Sequence, residues 1–244
     1  MYTQTYTNFP LNSFIFRRRL LADYGALGQH STDVQHTKLQ VRSNNLWRKI
    51  HAWTDIQQLY IPGIRILRVR AEKDRPDGDE AERPETMPLW LPSAIGRKAS
   101  CDHRLRELEW ALRHAQAHDA LNELRHGLRL RSYLYIDKDR FQRGQRQNTC
   151  SRTIIQCANT KIQSSATKYR VARTALMSLA RSLSRVGWDR SLSHLADKDI
   201  RGISAGLEGE TEGRRTLSWI WTRSGVAVEE TGDKHLHDGA CSLI

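Results

Sequence analysis

Aromatic side chains make up only 7% of the 244 residues, prolines number six and cysteines four, and no long uninterrupted apolar run occurs. So few aromatics beside 27% charged residues argue against a compact globule of stacked sheets and for elongated helices with thin apolar seams. The missing apolar run excludes a transmembrane helix. Cys101, Cys150, Cys157 and Cys241 are too few and too scattered for a disulfide framework, and none forms a C-x-x-C pair, so the expected setting is reducing and intracellular, including the nucleus. The opening "MYTQTYTNFPLNSFIFRRRLL" lacks the basic, apolar, small-residue order of a secretory signal.

What the chain does have is positive charge, unevenly placed. The formal net charge is +12. Residues 1–99 carry 15 Lys and Arg against 10 Asp and Glu, residues 100–187 carry 17 against 7, and residues 188–244 carry 7 against 10. Basicity is concentrated in the middle, which points to a polyanionic partner there.

Periodicity divides the chain into four parts: a helical segment at 1–70, a linker at 71–88, a long helical hairpin at 89–201 and a Gly-rich loop with an irregular tail at 202–244. In the first, "RRRLLADYGALG" predicts a short helix ending at Gly25 or Gly28, and "NNLWRKIHAWTDIQQLYIPG" a second, capped by Asn44 or Asn45. Pro62-Gly63 stops that pattern, and "AEKDRPDGDEAERPETMP" reads as solvated linker. From Ser100 to about Ile136 a helix is expected, capped by Ser100 or Asp102. It has two apolar stripes, Leu105, Leu108, Leu112 and Ala115 on one side and Trp110, Ala117, Leu121, Leu124 and Leu128 on another. After the connector around Gly144, Ile155, Ala158, Ile162, Ser165, Tyr169, Ala172, Leu176, Leu179 and Leu183 are spaced alternately three and four apart, a heptad seam. The helix bearing it, from Thr149 to about Val186, would be roughly 55 Å long. Small residues at Ala158, Ser165 and Ala172 admit a close partner, most economically the preceding helix folded back. One more short helix is expected in "DRSLSHLADKDI". The predicted fold class is all-α, an elongated, coiled-coil-like antiparallel hairpin with a small N-terminal helical unit.

Between Arg140 and Arg185 there is no Asp or Glu but ten Lys and Arg. As a strip on one helix, such charge is a phosphate-backbone footprint, and the candidate nucleic-acid-binding residues are Arg140, Arg143, Arg146, Arg152, Lys161, Lys168, Arg170 and Arg173. The competing reading is a solvated face whose cations flank the seam and pair with Glu107, Glu109 or Glu123. His114 and His118 share a helix face, but Ala115, Gln116 and Ala117 between them leave out the general base of a zinc-hydrolase motif, and His235-x-His237 is weaker still; no metal or cofactor is expected. The paired carboxylates Asp137/Asp139 and Asp197/Asp199 read as solvated, and no catalytic residue is assigned.

The segments "PLWLPSAI", "CDHRLRELEWALRHAQAHDALNELRHGLRLRSYLYIDKDRFQRGQRQNT", "ATKYRVARTALMSLA", "WDRSLSHLADKDIRG" and "RRTLSWIW" occur in that order. With "LWRKIHAWTDIQQLYIPG" upstream, they resemble the C-terminal helical region of fungal KDZ (Kyakuja, Dileera, Zisupton) transposases and their cysteine-cluster-associated proteins, over roughly residues 14–221. The resemblance implies a mobile-element origin with DNA as the ancestral substrate. The family's RNase-H-like core and cysteine cluster have no counterpart here, so no catalytic acid is carried over. "TRSGVAVEETGDKHLHDGACSLI" departs from the family's helical continuation, as a frameshift or read-through intron would make it. The leading expectation is a non-catalytic transposase fragment that holds nucleic acid nonspecifically. The alternatives are a protein–protein module, pairing with another copy or another transposase chain through the Ile155–Leu183 seam, and a decayed remnant. Trp219 and Trp221 in "LSWIW" are expected to be packing residues rather than base-stacking ones.

Overall fold

Thr32 opens the first long helix. Its hydroxyl accepts the Gln35 N–H at 3.4 Å, and the Gln35 carboxamide accepts the Thr32 N–H at 3.0 Å, a reciprocal cap. The computed structural model describes residues 16–17, 19–25, 27, 31–74, 83–141, 145–203 and 216–223. Helix α1 spans Asp33–Tyr60. The expected cap at Asn44 or Asn45 therefore lies inside a helix, because no Gly or Pro interrupts the chain between Thr32 and Tyr60. Then follow α2 (Ile64–Lys73), α3 (Pro92–Ile95), α4 (His103–Phe141), α5 (Gln145–Leu183) and α6 (Trp219–Thr222). Residues 19–25 are also helical, and among the described residues there is no strand. The all-α class is as expected, and α4 and α5 pack against each other.

Both helices of the hairpin are longer at their joined ends than periodicity suggested. α4 continues to Phe141 and α5 begins at Gln145, so most of the predicted connector is helix. Asn, Gln, Arg and Lys carry no apolar period, yet they are compatible with helix once flanking turns propagate into them. At the other end Asp102 caps α4, its carboxylate accepting the Arg104 N–H at 3.0 Å.

The chain divides into two compact units, Met1–Ala115 with Ala172–Val186, and Gln116–Val171 with Gly187–Ile244. This differs from the four-part reading in sequence order, because α4 and α5 each contribute to both units.

The first unit's core gathers Leu39, Leu46, Ile50 and Trp53 of α1 with Leu89, Leu91, Ile95 and Leu105. Gln57 continues the α1 stripe and is fully buried, with its amide satisfied. It donates to the carbonyls of Leu89 at 3.2 Å and Trp90 at 2.6 Å, and accepts from Arg68 at 2.5 Å. The Trp53 indole also donates to the Leu89 carbonyl, at 3.2 Å. The predicted linker is corrected at its C-terminal end. Glu85 is buried and Met87 packs on the core, because the next residues, Leu89 and Leu91, are drawn in against α1. Residues 75–82 of that linker lie outside the described residues.

A second buried polar group ties α3 to α4. Glu109 accepts from the Ser93 N–H at 2.8 Å, the Ser93 hydroxyl at 2.6 Å and Arg113 Nε at 3.3 Å, with the Glu109 and Arg113 side chains only 8% and 6% exposed. This corrects the first predicted stripe of α4: Leu105 is buried, but Leu108 and Ala115 are exposed, and Glu109, Arg113 and Gln116 take the inward positions.

The other predicted stripe holds in the second unit, where Ala117, Leu121, Leu124 and Leu128 are buried, as are Ile155, Ala158, Ile162 and Tyr169 of α5, while its first member, Trp110, is half-buried in the first unit. Gly127 permits the close approach: a Cβ there would meet Ile162 Cγ1 at 2.9 Å. The expected short helix after Trp188 is instead two 3-10 turns, Trp188–Arg190 and Asp197–Asp199. Between them Leu192 and Leu195 are buried, and the carbonyls of Ser193 and Leu195 accept from the Tyr169 hydroxyl at 2.5 Å and Arg170 Nε at 3.0 Å instead of from helical N–H groups.

Glu109→Ala leaves the buried Arg113 without its carboxylate and Ser93 without its acceptor. Urea denaturation should show a loss of about 3–5 kcal/mol.

Candidate nucleic-acid interface

α5 contains seven Lys and Arg and no acid over its 39 residues. Its buried line fixes where each cation points. Lys161 and Lys168 flank the seam on one side and Arg152 and Arg173 on the other, with Arg146 and Arg181 turned away from it. The predicted residues therefore do not share one face, and the single strip is corrected to charges distributed around the helix.

Other segments supply counter-charges to some of them. Lys168 Nζ lies 2.7 Å from Glu123 of α4, the partner that the competing reading named. Arg170 pairs with Asp197 at 2.6 Å, besides its bond to the Leu195 carbonyl. Arg173 donates to the Met177 sulfur at 3.2 Å. In the first unit Arg185 faces Glu107 at 3.8 Å. Arg143 lies outside the described residues.

Arg140, Arg146, Arg152 and Lys161 remain exposed, and among the described residues none of them forms an ion pair. Three of these stand at the joined end of the hairpin: Arg140 in the last turn of α4, Arg146 and Arg152 in the first turns of α5. The α5 N-terminus adds the positive pole of the helix dipole, with no acid in its first turn to offset it. Asp137 and Asp139 are the acids of this end. The charge reading missed three features here. Lys138 sits in the same last turn of α4, and two tyrosines precede it, Tyr133 at 71% and Tyr135 at 46% exposure. The signal for Tyr133 was available, since it falls off the α4 stripe that contains Leu121, Leu124 and Leu128, whereas Tyr135 lies in phase with that stripe, beyond its last leucine. Exposed aromatic rings beside guanidinium groups supply stacking surface for unpaired bases as well as charge for phosphates.

The tryptophans of "LSWIW" are packed. Trp219 lies against Tyr169 with ring centroids 6.0 Å apart, the Trp221 indole donates to the Arg201 carbonyl at 2.9 Å, and Ile220 between them is fully buried. Arg125 anchors this short helix by donating to the Ile220 carbonyl at 2.7 Å and to that of Arg223. Arg129 lies 5.4 Å over the Trp221 ring, and Arg223 5.9 Å over that of Trp219.

His114 stacks on Trp110 at 6.4 Å and its pKa is lowered by burial, while His118 is buried. Among the described residues no group of three His, Cys, Asp or Glu stands together as a metal site; His235 and His237 lie outside them. No helix among the described residues is long and apolar enough to cross a membrane. Comparison with family models, curated proteins and solved structures gives no match.

Burial pushes the Cys101 thiol up to about 11, whereas Cys150 and Cys157 are exposed on α5. Iodoacetamide under native conditions should label Cys150 and Cys157 well before Cys101, and mass spectrometry of the peptides reads the order.

Proposed function

We propose that this chain is a non-catalytic helical module that holds nucleic acid without reading its sequence, and that the joined end of its hairpin is the contact surface. The observation that carries this reading is the set Arg140, Arg146 and Arg152, exposed and without ion-pair partners among the described residues, beside exposed Tyr133. Backbone phosphates need only such positive groups, and base faces need only an accessible ring. No fork of side chains arranged for base edges is part of the proposal. The resemblance to the helical region of KDZ transposases supports the same reading and gives it an origin, a transposase-derived fragment whose ancestral substrate was DNA.

The alternative of a protein–protein module through the Ile155–Leu183 seam has less support. Ile155, Ile162, Tyr169, Leu176 and Leu179 of the seam are buried within the chain itself.

Binding to mixed-sequence single- and double-stranded DNA should weaken steeply with salt. The triple reversal Arg140→Glu, Arg146→Glu and Arg152→Glu removes three phosphate contacts and should flatten the slope of log K against log salt by about 3 on duplex DNA. Fluorescence anisotropy across a salt series measures it. An unchanged slope, with helicity intact by circular dichroism, overturns the reading. Lys168→Glu, which breaks a pair with Glu123, should change the slope far less.

A further inference from the structure

The first unit contains a cleft of about 910 Å³ at the junction of the segment after α3, the start of α4 and the end of α5. Arg97, Arg106 and Arg181 line it, one from each segment, together with Ser100, and no carboxylate lines it. Among the described residues none of the three arginines forms an ion pair. The nearby carboxylates are committed elsewhere: Glu109 to Ser93 and Arg113, Glu107 to Arg185 and His103, and Asp102 to the Arg104 N–H. Three guanidinium-bearing side chains on one concavity, with no carboxylate in its lining, offer an entering anion positive charge from three segments. Their planar donor forks match phosphoryl oxygens.

The cleft is also built. Gly96, with φ +57, turns the chain after α3 so that Arg97 and Ser100 reach the cleft wall. Ser178 ties α5 to α3 by donating to the Ser93 carbonyl at 2.7 Å. Pro92, Ala99 and Met177 give the cleft an apolar wall. Its volume lies within the range of small-molecule sites and exceeds what one phosphate ion needs.

The geometry points to a binding site for a phosphorylated small molecule, with the phosphate chain on Arg97, Arg106 and Arg181 and any organic part against Met177 and Pro92. Nothing in the nucleic-acid reading enters this assignment, since that surface belongs to the other unit. The recognised chemistry is the phosphoryl group, and its source is either an inorganic polyphosphate or a nucleotide.

Isothermal titration of the full chain with inorganic triphosphate and, separately, with ATP tests it. Saturable one-to-one binding is expected for at least one probe. Each of Arg97→Gln, Arg106→Gln and Arg181→Gln should weaken binding about tenfold or more, with the circular dichroism spectrum unchanged. Equal affinities for the two probes assign the site to the phosphate chain alone; tighter ATP binding adds the nucleoside on the apolar wall. Arg146→Glu serves as a control and should leave this binding intact while weakening DNA binding. The assignment is overturned if neither probe binds at low salt, if the three substitutions leave the affinity unchanged, or if Arg146→Glu weakens binding as much as they do.

Discussion

A helix of 39 residues without a single carboxylate has to find its counter-charges on other segments, and the arrangement around α5 follows from where they come. Glu123 of α4 meets Lys168 and Asp197 of the second 3-10 turn meets Arg170, while just past the end of α5 Glu107 meets Arg185. Two of these partners also record how the chain is folded: Lys168 with Glu123 marks the antiparallel pairing of α4 and α5, and Arg170 with Asp197 holds the post-hairpin segment against α5. Exposed ion pairs are worth little individually, so the apolar seam and not these pairs supplies the stability. The pairs decide instead which cations stay open to an outside anion.

Much of the fold was legible. The seam from Ile155 to Leu179 alternates three and four with no competing period, and the burial follows it residue by residue. The stripe from Ala117 to Leu128 was equally plain. What was not legible depends on partners far away in sequence. Glu109 and Arg113 look like solvated helix charges until Ser93 is known to sit over Glu109, some sixteen residues earlier. Thr32 and Gln35 spell a capping box, but only Leu39 and Val41 are apolar between it and the pattern that begins at Leu46, too few to join the two by periodicity. The two leucines after Trp188 suggest a helix, and only the carbonyl acceptors required by Tyr169 and Arg170 explain why the chain runs otherwise.

The candidate sites divide the same way. Acid-free composition points to the stretch of chain that carries the proposed polyanion contact, because composition needs no geometry. Net charge does not say which cations a distant Asp or Glu claims, as Glu123 claims Lys168 and Asp197 claims Arg170. Composition also passed over the Arg97, Arg106 and Arg181 cleft entirely. Those residues are separated by up to 84 positions and share no motif, and only folding brings them to one concavity. The two regions share no residue and lie in different units.

Gly127 has a consequence for how this sequence can drift. It is the only glycine of α4, a helix that every substitution at that position except proline would favour on backbone grounds. Yet a single added carbon there reaches Ile162. Positions 127 and 162 are thus bound as a pair: bulk gained at one is admissible only with bulk lost at the other. Relatives of this chain should show the two changing together, or not at all.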